Sequence, residues 1–342
     1  MLGVFYYGPN DLRVEETKEP KIKHANEVLL RVRACGVCGS DIKTLHGEYG
    51  GNPPVILGHE FSGEVHDVGP EVKSVTKGDK VVVDPNLTCG TCYYCRKGLE
   101  NICDNVITVG MHVNGGLSEY CAVPSSALHR IPDKLPFNEA ALAEPLACVL
   151  NGFNRCQIKP GDTVGLVGLG PIGFLYLQLL KLSAASKVIA FEVKADRIEA
   201  ARKMGAEYIV NPAQNDWKER LKEYAGGDGV NVAIEAVGSP PASKLALDIV
   251  RHGGRAVFFG IHKPDDRLEV DAYKLTRYEI DVVGSFIDRF TFLPAVQLLS
   301  DKKIDAKSLI THTFSLRDAK KAFDTMDQGK GIKIQITPGG LD

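Results

Sequence analysis

The chain has 342 residues, of which 44% are hydrophobic and 25% are charged, a balance typical of a globular protein with two domains. Its 41 basic and 43 acidic residues leave a formal charge of −2 and are interspersed along the chain. This pattern excludes an electrostatic basis for binding nucleic acid or a membrane surface, and we expect neither partner.

The N-terminal stretch and the cysteine content bear on location. The stretch MLGVFYYGPN has no basic region followed by an apolar one, and every apolar run ends well short of the ~20 residues of a transmembrane helix. Nine cysteines are an odd number, and clustered cysteines without a secretion signal favour metal binding over disulfides. These features predict a cytoplasmic protein.

Along the first part of the chain, segments rich in valine and bounded by turn residues predict strands at 27–34, 61–68 and 79–84. We therefore expect a mostly β domain over residues 1–146. The last residues, 285–342, carry one helix and one strand, which is too little for a separate core. They are expected to fold back onto the first domain.

After Pro160 the pattern changes to alternating strands and helices. A buried strand at 163–170 precedes a helix at 171–185, a strand at 187–193 and a helix at 195–206. The alternation continues with a strand at 230–238, a helix at 241–253, and strands at 254–260 and 280–286. Such alternation predicts a doubly wound parallel sheet over residues 147–284.

Four cysteines lie within fifteen residues in the spacing C-x2-C-x2-C-x7-C. They are Cys89, Cys92, Cys95 and Cys103. Four thiolates on one short loop can close a tetrahedron around Zn²⁺ and leave no open position for a substrate. The cluster predicts a structural zinc site. An iron–sulfur cluster, or cysteines that bind nothing, are the alternatives.

The segment GLGPIG follows a predicted strand and opens a predicted helix, which is the context of a dinucleotide-binding turn. Its candidate cofactor residues are Gly168, Gly170, Pro171, Ile172 and Gly173. Glu192 ends the next strand, where a carboxylate accepts the ribose hydroxyls and repels a 2′-phosphate, and this favours NAD. Arg197, a further candidate cofactor residue, and the nearby Lys194 keep NADP open.

Three separate fragments carry further metal-ligand chemistry, and each is weak alone: ACGVCGSD with Cys38, LGHEFSG with His59 and Glu60, and AEPLA with Glu144. Together with the cysteine loop and GLGPIG, they make the chain resemble the zinc-containing medium-chain dehydrogenases over nearly its full length, and the polyol branch most. The resemblance implies a GroES-like catalytic domain (1–146 and 285–342) and a Rossmann coenzyme domain (147–284).

The resemblance also implies a catalytic zinc, hence two zinc ions per chain. Cys38 and His59 would bind it, Glu60 would bind it directly or exchange with water, and Glu144 would stand where simple alcohol dehydrogenases carry cysteine. A carboxylate ligand is harder and exchanges more easily with water than a thiolate, which suits a hydroxyl-rich substrate. Asp41 would accept the free ring N–H of His59 and so orient that ligand.

The implied reaction is transfer of a hydride from an alcohol or polyol to NAD. A zinc ion lowers the pKa of a bound oxygen from ~16 to ~7, which favours hydride loss from the carbon. Ser40 would accept the alcohol proton. Relatives complete the proton relay with a histidine five residues after the metal cysteine, but this chain has Lys43 there, so His46 or water would serve. Lys333 would reach the cofactor pyrophosphate, or be solvated in an edge strand.

Other interpretations stay open. L-threonine 3-dehydrogenases carry a histidine where this chain has Asn86, and they lack the EPL segment, so that branch fits less well; diol and simple alcohol dehydrogenases are further alternatives. A zinc-containing nucleotide sensor and a zinc-free quinone-reductase-like protein would not need Cys38, His59, Glu60 and Glu144. Exposed strands near 254–260 and 280–286 predict a homo-oligomer, with a tetramer favoured over a dimer.

Overall fold

The computed structural model describes residues 1–339 and divides the chain into two compact units. The first unit comprises Met1–Cys148 and Asp288–Asp342, and the second comprises Val149–Ile287. The borders expected from the sequence were 146/147 and 284/285. None of the helices in the described part of the chain is long and apolar enough to cross a bilayer.

The elements before the second unit, and the helix that leads into it, run in the following order. They are β1 Leu2–Gly8, β2 Asp11–Glu16, β3 Glu27–Val37, α1 Gly39–Leu45, β4 Val55–Ile56, β5 Glu60–Val68, β6 Lys80–Val83, β7 Asn86–Leu87, α2 Tyr93–Arg96, β8 Ile107–Thr108, β9 Tyr120–Pro124, β10 Leu128–Arg130, α3 Phe137–Ala140 and α4 Ala143–Cys156. The strands at 27–34, 61–68 and 79–84 that the sequence predicts correspond to β3, β5 and β6.

The second unit alternates strands with helices, and the chain then returns to the first unit. The second unit contains β11 Thr163–Val167, α5 Pro171–Lys181, β12 Lys187–Phe191, α6 Ala195–Lys203, β13 Tyr208–Val210, α7 Trp217–Ala225, β14 Val230–Glu235, α8 Pro240–Ile249, β15 Val250–Phe258, α9 Ala272–Arg277 and β16 Asp281–Gly284. The returning segment contains α10 Phe292–Ser300, α11 Ala306–Leu309, β17 Ile310–Phe314, α12 Ala319–Asp327 and β18 Lys333–Ile336.

In the first unit, β3 is the central strand of a seven-stranded sheet with the order β10-β6-β5-β3-β18-β17, and β9 also pairs with β3. The long strand β3 is rich in apolar side chains, with valines at 28, 32 and 37, and most of its residues are buried. Strand β18, from the returning segment, pairs antiparallel with β3. This pairing brings residues near the C-terminus beside the strands that carry the metal-ligand candidates.

In the second unit, six parallel strands form one sheet in the order β13-β12-β11-β14-β15-β16. The order reverses direction at β11, so the carboxyl ends of β11 and β14 flank the crevice where such sheets bind dinucleotides. The predicted doubly wound Rossmann fold is confirmed.

Two expectations for this unit were wrong in detail. The helix predicted at 241–253 ends at Ile249, because Val250 already pairs with Val230 in the sheet and Gly253 has a φ of +70° that a helix does not allow. The strand near 254–260 is not exposed, because β15 lies between β14 and β16. Only β16, of the two strands considered for pairing between subunits, is at the edge of the sheet.

Candidate metal centres and cofactor site

The four cysteines of the C-x2-C-x2-C-x7-C loop converge. Their sulfur atoms all lie within 4.8 Å of one another, and the Cys103 sulfur is 3.5 Å from that of Cys89 and 3.9 Å from that of Cys92. A tetrahedron with Zn–S bonds of ~2.3 Å has sulfur atoms about 3.8 Å apart. The loop therefore has the dimensions of a closed zinc site with four cysteine ligands.

Backbone N–H groups of the same loop point at these sulfurs. The amide of Cys92 donates to the Cys89 sulfur at 3.3 Å, the amide of Asn105 donates to the Cys103 sulfur at 3.3 Å, and the amide of Cys95 donates to the Cys92 sulfur at 3.5 Å. Backbone donation, first from Thr91, lowers the pKa of Cys89 to about 5. Burial, by contrast, raises the pKa of Cys95 to about 12. Three of the four sulfurs accept backbone N–H groups, which favours the thiolates that a structural zinc requires.

A second group of metal donors lies elsewhere in the first unit. The ligand atoms of Cys38, His59 and Glu60 lie within 4.8 Å of one another, and both His59 and Glu60 are buried. Cys38 follows the end of β3 and caps α1, whereas His59 and Glu60 enter β5, which pairs with β3. A thiolate, an imidazole and a carboxylate together suit Zn²⁺, and fewer than four protein ligands leave room for substrate.

The ring of His59 lies against the carboxyl group of Asp41. The ring Nδ1 of His59 is 3.4 Å from Asp41 Oδ1, and Asp41 is fully buried and accepts the Cys38 backbone N–H through Oδ2 at 2.9 Å. The contact leaves Nε2 as the nitrogen available to a metal. Asp41 thus lies where a carboxylate would hold the ligand ring and its tautomer, as the family resemblance implies.

Glu144 lies near this group, but it is not one of the three residues whose ligand atoms lie within 4.8 Å of one another. It lies in the first turn of α4 and is buried, and the Cys148 thiol one turn later donates to Glu144 Oε1 at 3.5 Å. Burial raises the pKa of Glu144 to about 8, with His59 acting against that shift and Glu60 adding to it. A carboxyl in such surroundings is ionised at neutral pH only when a cation faces it, which fits a metal-binding role.

The three residues expected on the proton path differ in where they lie. The Ser40 hydroxyl is buried and lies 3.3 Å from His59 Nε2, beside the metal donors. His46 is at the surface, where its ring nitrogens contact Asn10 Oδ1 at 3.3 Å and Asp327 Oδ1 at 3.2 Å. Lys43 is half-buried. The Ser40 hydroxyl thus lies beside the metal donors, whereas both His46 ring nitrogens contact surface groups.

Lys333 lies inside the first unit and is 3% exposed. Its Nζ forms an ion pair with Glu60 Oε2 and donates to the carbonyl oxygen of Val37 at 3.3 Å. Burial alone would lower the pKa of Lys333, but the charges of Glu60 and Cys38 raise it instead, so the amine stays protonated. The alternative of a solvated lysine in an edge strand is wrong, because β18 lies between β3 and β17.

The glycine-rich turn of the second unit has the geometry of a dinucleotide-binding loop. Gly168 has a φ of +95°, and a Cβ atom on Gly173 would lie 2.0 Å from the carbonyl oxygen of Gly168, so neither position accepts a side chain. A Cβ on Gly170 would meet nothing closer than Arg197 Nη1 at 3.9 Å. The backbone at Gly170 is thus open to a phosphate, and α5 begins at once with Pro171 and Ile172.

Carboxylates brace the loops at this end of the sheet. Glu192 accepts the backbone N–H of Leu169 at 2.8 Å, that of Val193 at 2.7 Å and that of Lys194 at 2.9 Å, and Arg197 Nη1 lies 4.0 Å from it. Glu235, which the sequence did not single out, accepts two N–H groups of the loop after β14. Hydrogen bonds to two buried carboxyl groups therefore hold the loops after β11, β12 and β14.

The first unit contains a pair of acids, Asp84 and Asp288, that the sequence did not single out. Asp84 follows β6, and Asp288 opens the returning segment; Asn86 joins them by donating its backbone N–H to Asp84 at 3.0 Å and its side-chain amide to Asp288 at 2.9 Å. Burial, followed by the charge of Asp288, raises the pKa of Asp84 to about 7, and Glu100 adds to this shift. No local motif signals the pair, because its members lie 204 residues apart.

Replacing Asp84 with asparagine is expected to change how stability depends on pH. Because the folded pKa of Asp84 lies above its unfolded value of 3.8, the folded state binds the extra proton, and this advantage is lost as pH rises toward 7. The variant should therefore gain about 2 kcal/mol relative to the wild type between pH 5.5 and 7, at about 1.4 kcal/mol per pH unit.

The measurement is urea unfolding of the zinc-saturated proteins across that pH range, with Asp67→Asn, an exposed acid on β5, as the matched control. A stability difference between Asp84→Asn and the wild type that stays constant with pH would contradict the raised pKa of Asp84.

Comparisons with known proteins agree with this geometry. Residues 24–133 match the family model of the alcohol dehydrogenase GroES-like domain, and residues 171–301 match that of the zinc-binding dehydrogenases. The chain is 32% identical to a sorbitol dehydrogenase of Bacillus subtilis, covering 99% of this chain and 97% of that one. It is 34% identical to D-arabinitol dehydrogenase 1 of Uromyces fabae, covering 99% and 97%.

A solved structure with the same fold is that of a zinc-binding dehydrogenase from Sinorhizobium meliloti, bound to NADP. Its TM-score is 0.92, its sequence identity is 33%, and the match covers 98% of this chain and 99% of that one. The similarity extends over both units, and the identity is of the same size as that to the sugar-alcohol enzymes.

Proposed function

Because the chain belongs to the zinc-binding alcohol dehydrogenase family, we propose that it transfers a hydride from a secondary hydroxyl carbon of a polyol or sugar derivative to NAD. The observation that carries this proposal is the buried group formed by Cys38, His59 and Glu60, with Glu144 beside it. This donor set offers a metal site with room for substrate, unlike the closed loop of four cysteines.

The proposed catalytic zinc would be held by Cys38, His59 and one or both of Glu60 and Glu144, and a second zinc by the four cysteines of the loop. Zinc at the first site supplies the Lewis acidity that lowers the pKa of an alcohol hydroxyl. Asp41 orients the ring of His59, and Ser40 accepts the alcohol proton through its hydroxyl oxygen. The contacts of His46 with Asn10 and Asp327 leave solvent as the outer end of the proton path.

The cofactor proposed for the second unit is NAD. Glu192 is anchored by three backbone N–H groups at the end of β12, and a carboxylate fixed there repels a 2′-phosphate. Arg197 lies against Glu192 and the turn, where it can face the adenosine ribose. The NADP found in the Sinorhizobium meliloti structure is the reason to test both cofactors. The predicted contact of Lys333 with the pyrophosphate stays a prediction.

A polyol is favoured over other alcohols for two reasons. The relatives named above act on sorbitol and D-arabinitol, and Glu144 supplies a carboxylate where a thiolate would make the metal site softer. L-Threonine is the second candidate substrate. Asn86 is committed to Asp84 and Asp288, and it stands where threonine dehydrogenases carry histidine, so the observed contacts favour the polyol.

We further propose a homotetramer in the cytoplasm. Strand β16 is the edge of the parallel sheet and exposes Val282, so it offers unpaired backbone groups to a second copy. Among the described residues all nine cysteines are free, as suits a reducing compartment. Sedimentation of the purified protein tests the assembly, and a monomer at all concentrations would contradict it.

The test of the proposed activity is a screen of NAD reduction. Sorbitol, xylitol, butanediol, sugar acids, sugar phosphates and threonine are offered separately, with NADP run in parallel, and the absorbance of the reduced cofactor is followed. We expect turnover with polyols or their derivatives, at least about tenfold better kcat/KM with NAD, and loss of activity after chelation of zinc. Strict use of threonine or of a primary alcohol would contradict the proposed substrate class.

A further inference from the structure

The buried ion pair between Lys333 and Glu60 has no part in the proton and hydride steps proposed above, although Glu60 is one of the metal donors. Both residues are almost fully buried, at 3% and 1% exposure, so no solvent screens their charges. Burying a lysine ammonium costs free energy unless an opposite charge lies beside it. The partner is Glu60, one of the three residues that form the tight donor group.

The backbone is built to accommodate this pair. Gly36 on β3 pairs with Glu60 on one side and with Gln335 on the other, so β5 and β18 flank it. A Cβ atom on Gly36 would lie 2.0 Å from Glu60 Oε2 and 2.8 Å from Lys333 Cε. Only glycine at position 36 leaves room for this pair. Through that space the ammonium group of Lys333, on β18, reaches the carboxylate of Glu60, the first residue of β5.

The charges around the donor group explain why a cation is useful there. Cys38 as a thiolate, together with Glu60 and Glu144 as carboxylates, would carry three negative charges, and the buried carboxylate of Asp41 lies beside His59. Zn²⁺ alone would leave an excess of negative charge, which the Lys333 ammonium reduces. The ammonium also binds Glu60 Oε2, an oxygen that would otherwise turn toward the nearest cation, which is the metal.

We propose that Lys333 is a positioning residue that holds the Glu60 carboxylate back from the catalytic metal and thereby sets how firmly the metal is bound and how open its coordination is. The proposal rests on the catalytic zinc site proposed above. It differs from the contact with pyrophosphate that the sequence predicts, because it acts on the metal whether or not the cofactor is present.

The test compares zinc release from the cofactor-free holoprotein into a colorimetric chelator. In Lys333→Met the freed Glu60 turns to the metal, so we expect the faster-exchanging zinc to leave about 10-fold more slowly than in the wild type. Lys333→Arg, which keeps the charge, should restore the wild-type rate. Lys321→Met, on the exposed face of α12, is the matched control.

A double variant separates this mechanism from a change in overall charge. In Lys333→Met/Glu60→Gln no carboxylate is left to turn, so its release rate should match that of Glu60→Gln alone. This variant also lacks an unpaired buried charge, so it should fold even if Lys333→Met does not. With Co²⁺ in the catalytic site, Lys333→Met should change the visible spectrum, whereas the double variant should match Glu60→Gln.

The outcomes distinguish this inference from the proposed function. A single zinc per wild-type chain would contradict the catalytic site itself. Two zinc ions per chain, with the same release rate and Co²⁺ spectrum in Lys333→Met as in the wild type, would overturn the role of Lys333 and leave the proposed function standing. Weaker NADH binding in Lys333→Met with unchanged zinc release would assign the lysine to the pyrophosphate instead.

Discussion

Replacing Cys38 with serine is expected to remove the catalytic zinc and to lower kcat/KM by at least about 1000-fold. The Cys38 sulfur is one of three donor atoms within 4.8 Å of one another, and a serine hydroxyl does not ionise at neutral pH to replace it. Without the metal, an alcohol hydroxyl keeps its ordinary pKa, so the carbon loses hydride only slowly. The measurement is zinc content together with steady-state kinetics.

Cys121→Ser is the matched control for this substitution. Cys121 is a buried thiol of the first unit, 2% exposed, whereas Cys38 is partly buried. The Cys121 sulfur contacts the carbonyl oxygen of Asn114 rather than any metal donor. We expect the control to keep about two zinc ions per chain, and Cys38→Ser about one. Full activity of Cys38→Ser with one zinc bound would contradict the assignment of the catalytic site.

Replacing Cys92 with serine is expected to act on stability far more than on chemistry. Because the loop around the four cysteines has few buried side chains of its own, the metal supplies most of the energy that orders it. We expect a loss of one zinc, about 4 kcal/mol of stability and about 10 °C in Tm. At low temperature kcat/KM should stay within about tenfold of the wild type, because the closed site offers no position to substrate.

Calorimetry and zinc content measure this second effect. Tyr93→Ser lies in the same loop, and Tyr93 is 67% exposed, so it changes the surface of the loop without removing a thiolate. This control should keep both zinc ions and the Tm of the wild type. An unchanged Tm of Cys92→Ser after loss of one zinc would show that the loop is ordered without the ion.

The two metal centres differ in how far the sequence could predict them. The cysteine loop is local: four thiols within fifteen residues can meet only around one point, so spacing alone indicated the site. Cys38, His59 and Glu144 were weak signals one by one, and their prediction relied on the resemblance to a family. In the structure they come from α1, from the start of β5 and from α4. Only the pairing of β3 with β5 makes the first two neighbours.

The doubly wound sheet and the glycine-rich turn followed from the sequence because hydrophobic periodicity and the positions of glycine act over a few residues. The family was indicated by the resemblance of several separate motifs. Errors appeared where long-range pairing overrides local propensity. The helix predicted to reach residue 253 stops at Ile249 because Val250 joins the sheet, and the strand at 254–260 is interior because β16 covers its edge.

The sequence by itself indicated the closed zinc loop and the dinucleotide turn, since each depends on residues close together in the chain, and the order of its separate motifs indicated the family. Only the tertiary structure placed Lys333 against Glu60 and Asp84 beside Asp288, pairs separated by 273 and 204 positions. Charges so far apart meet through the register of β3, β5 and β18 and through the returning segment. No local sequence pattern predicts these contacts, because the free energy that holds the two pairs together comes from burial of the whole sheet.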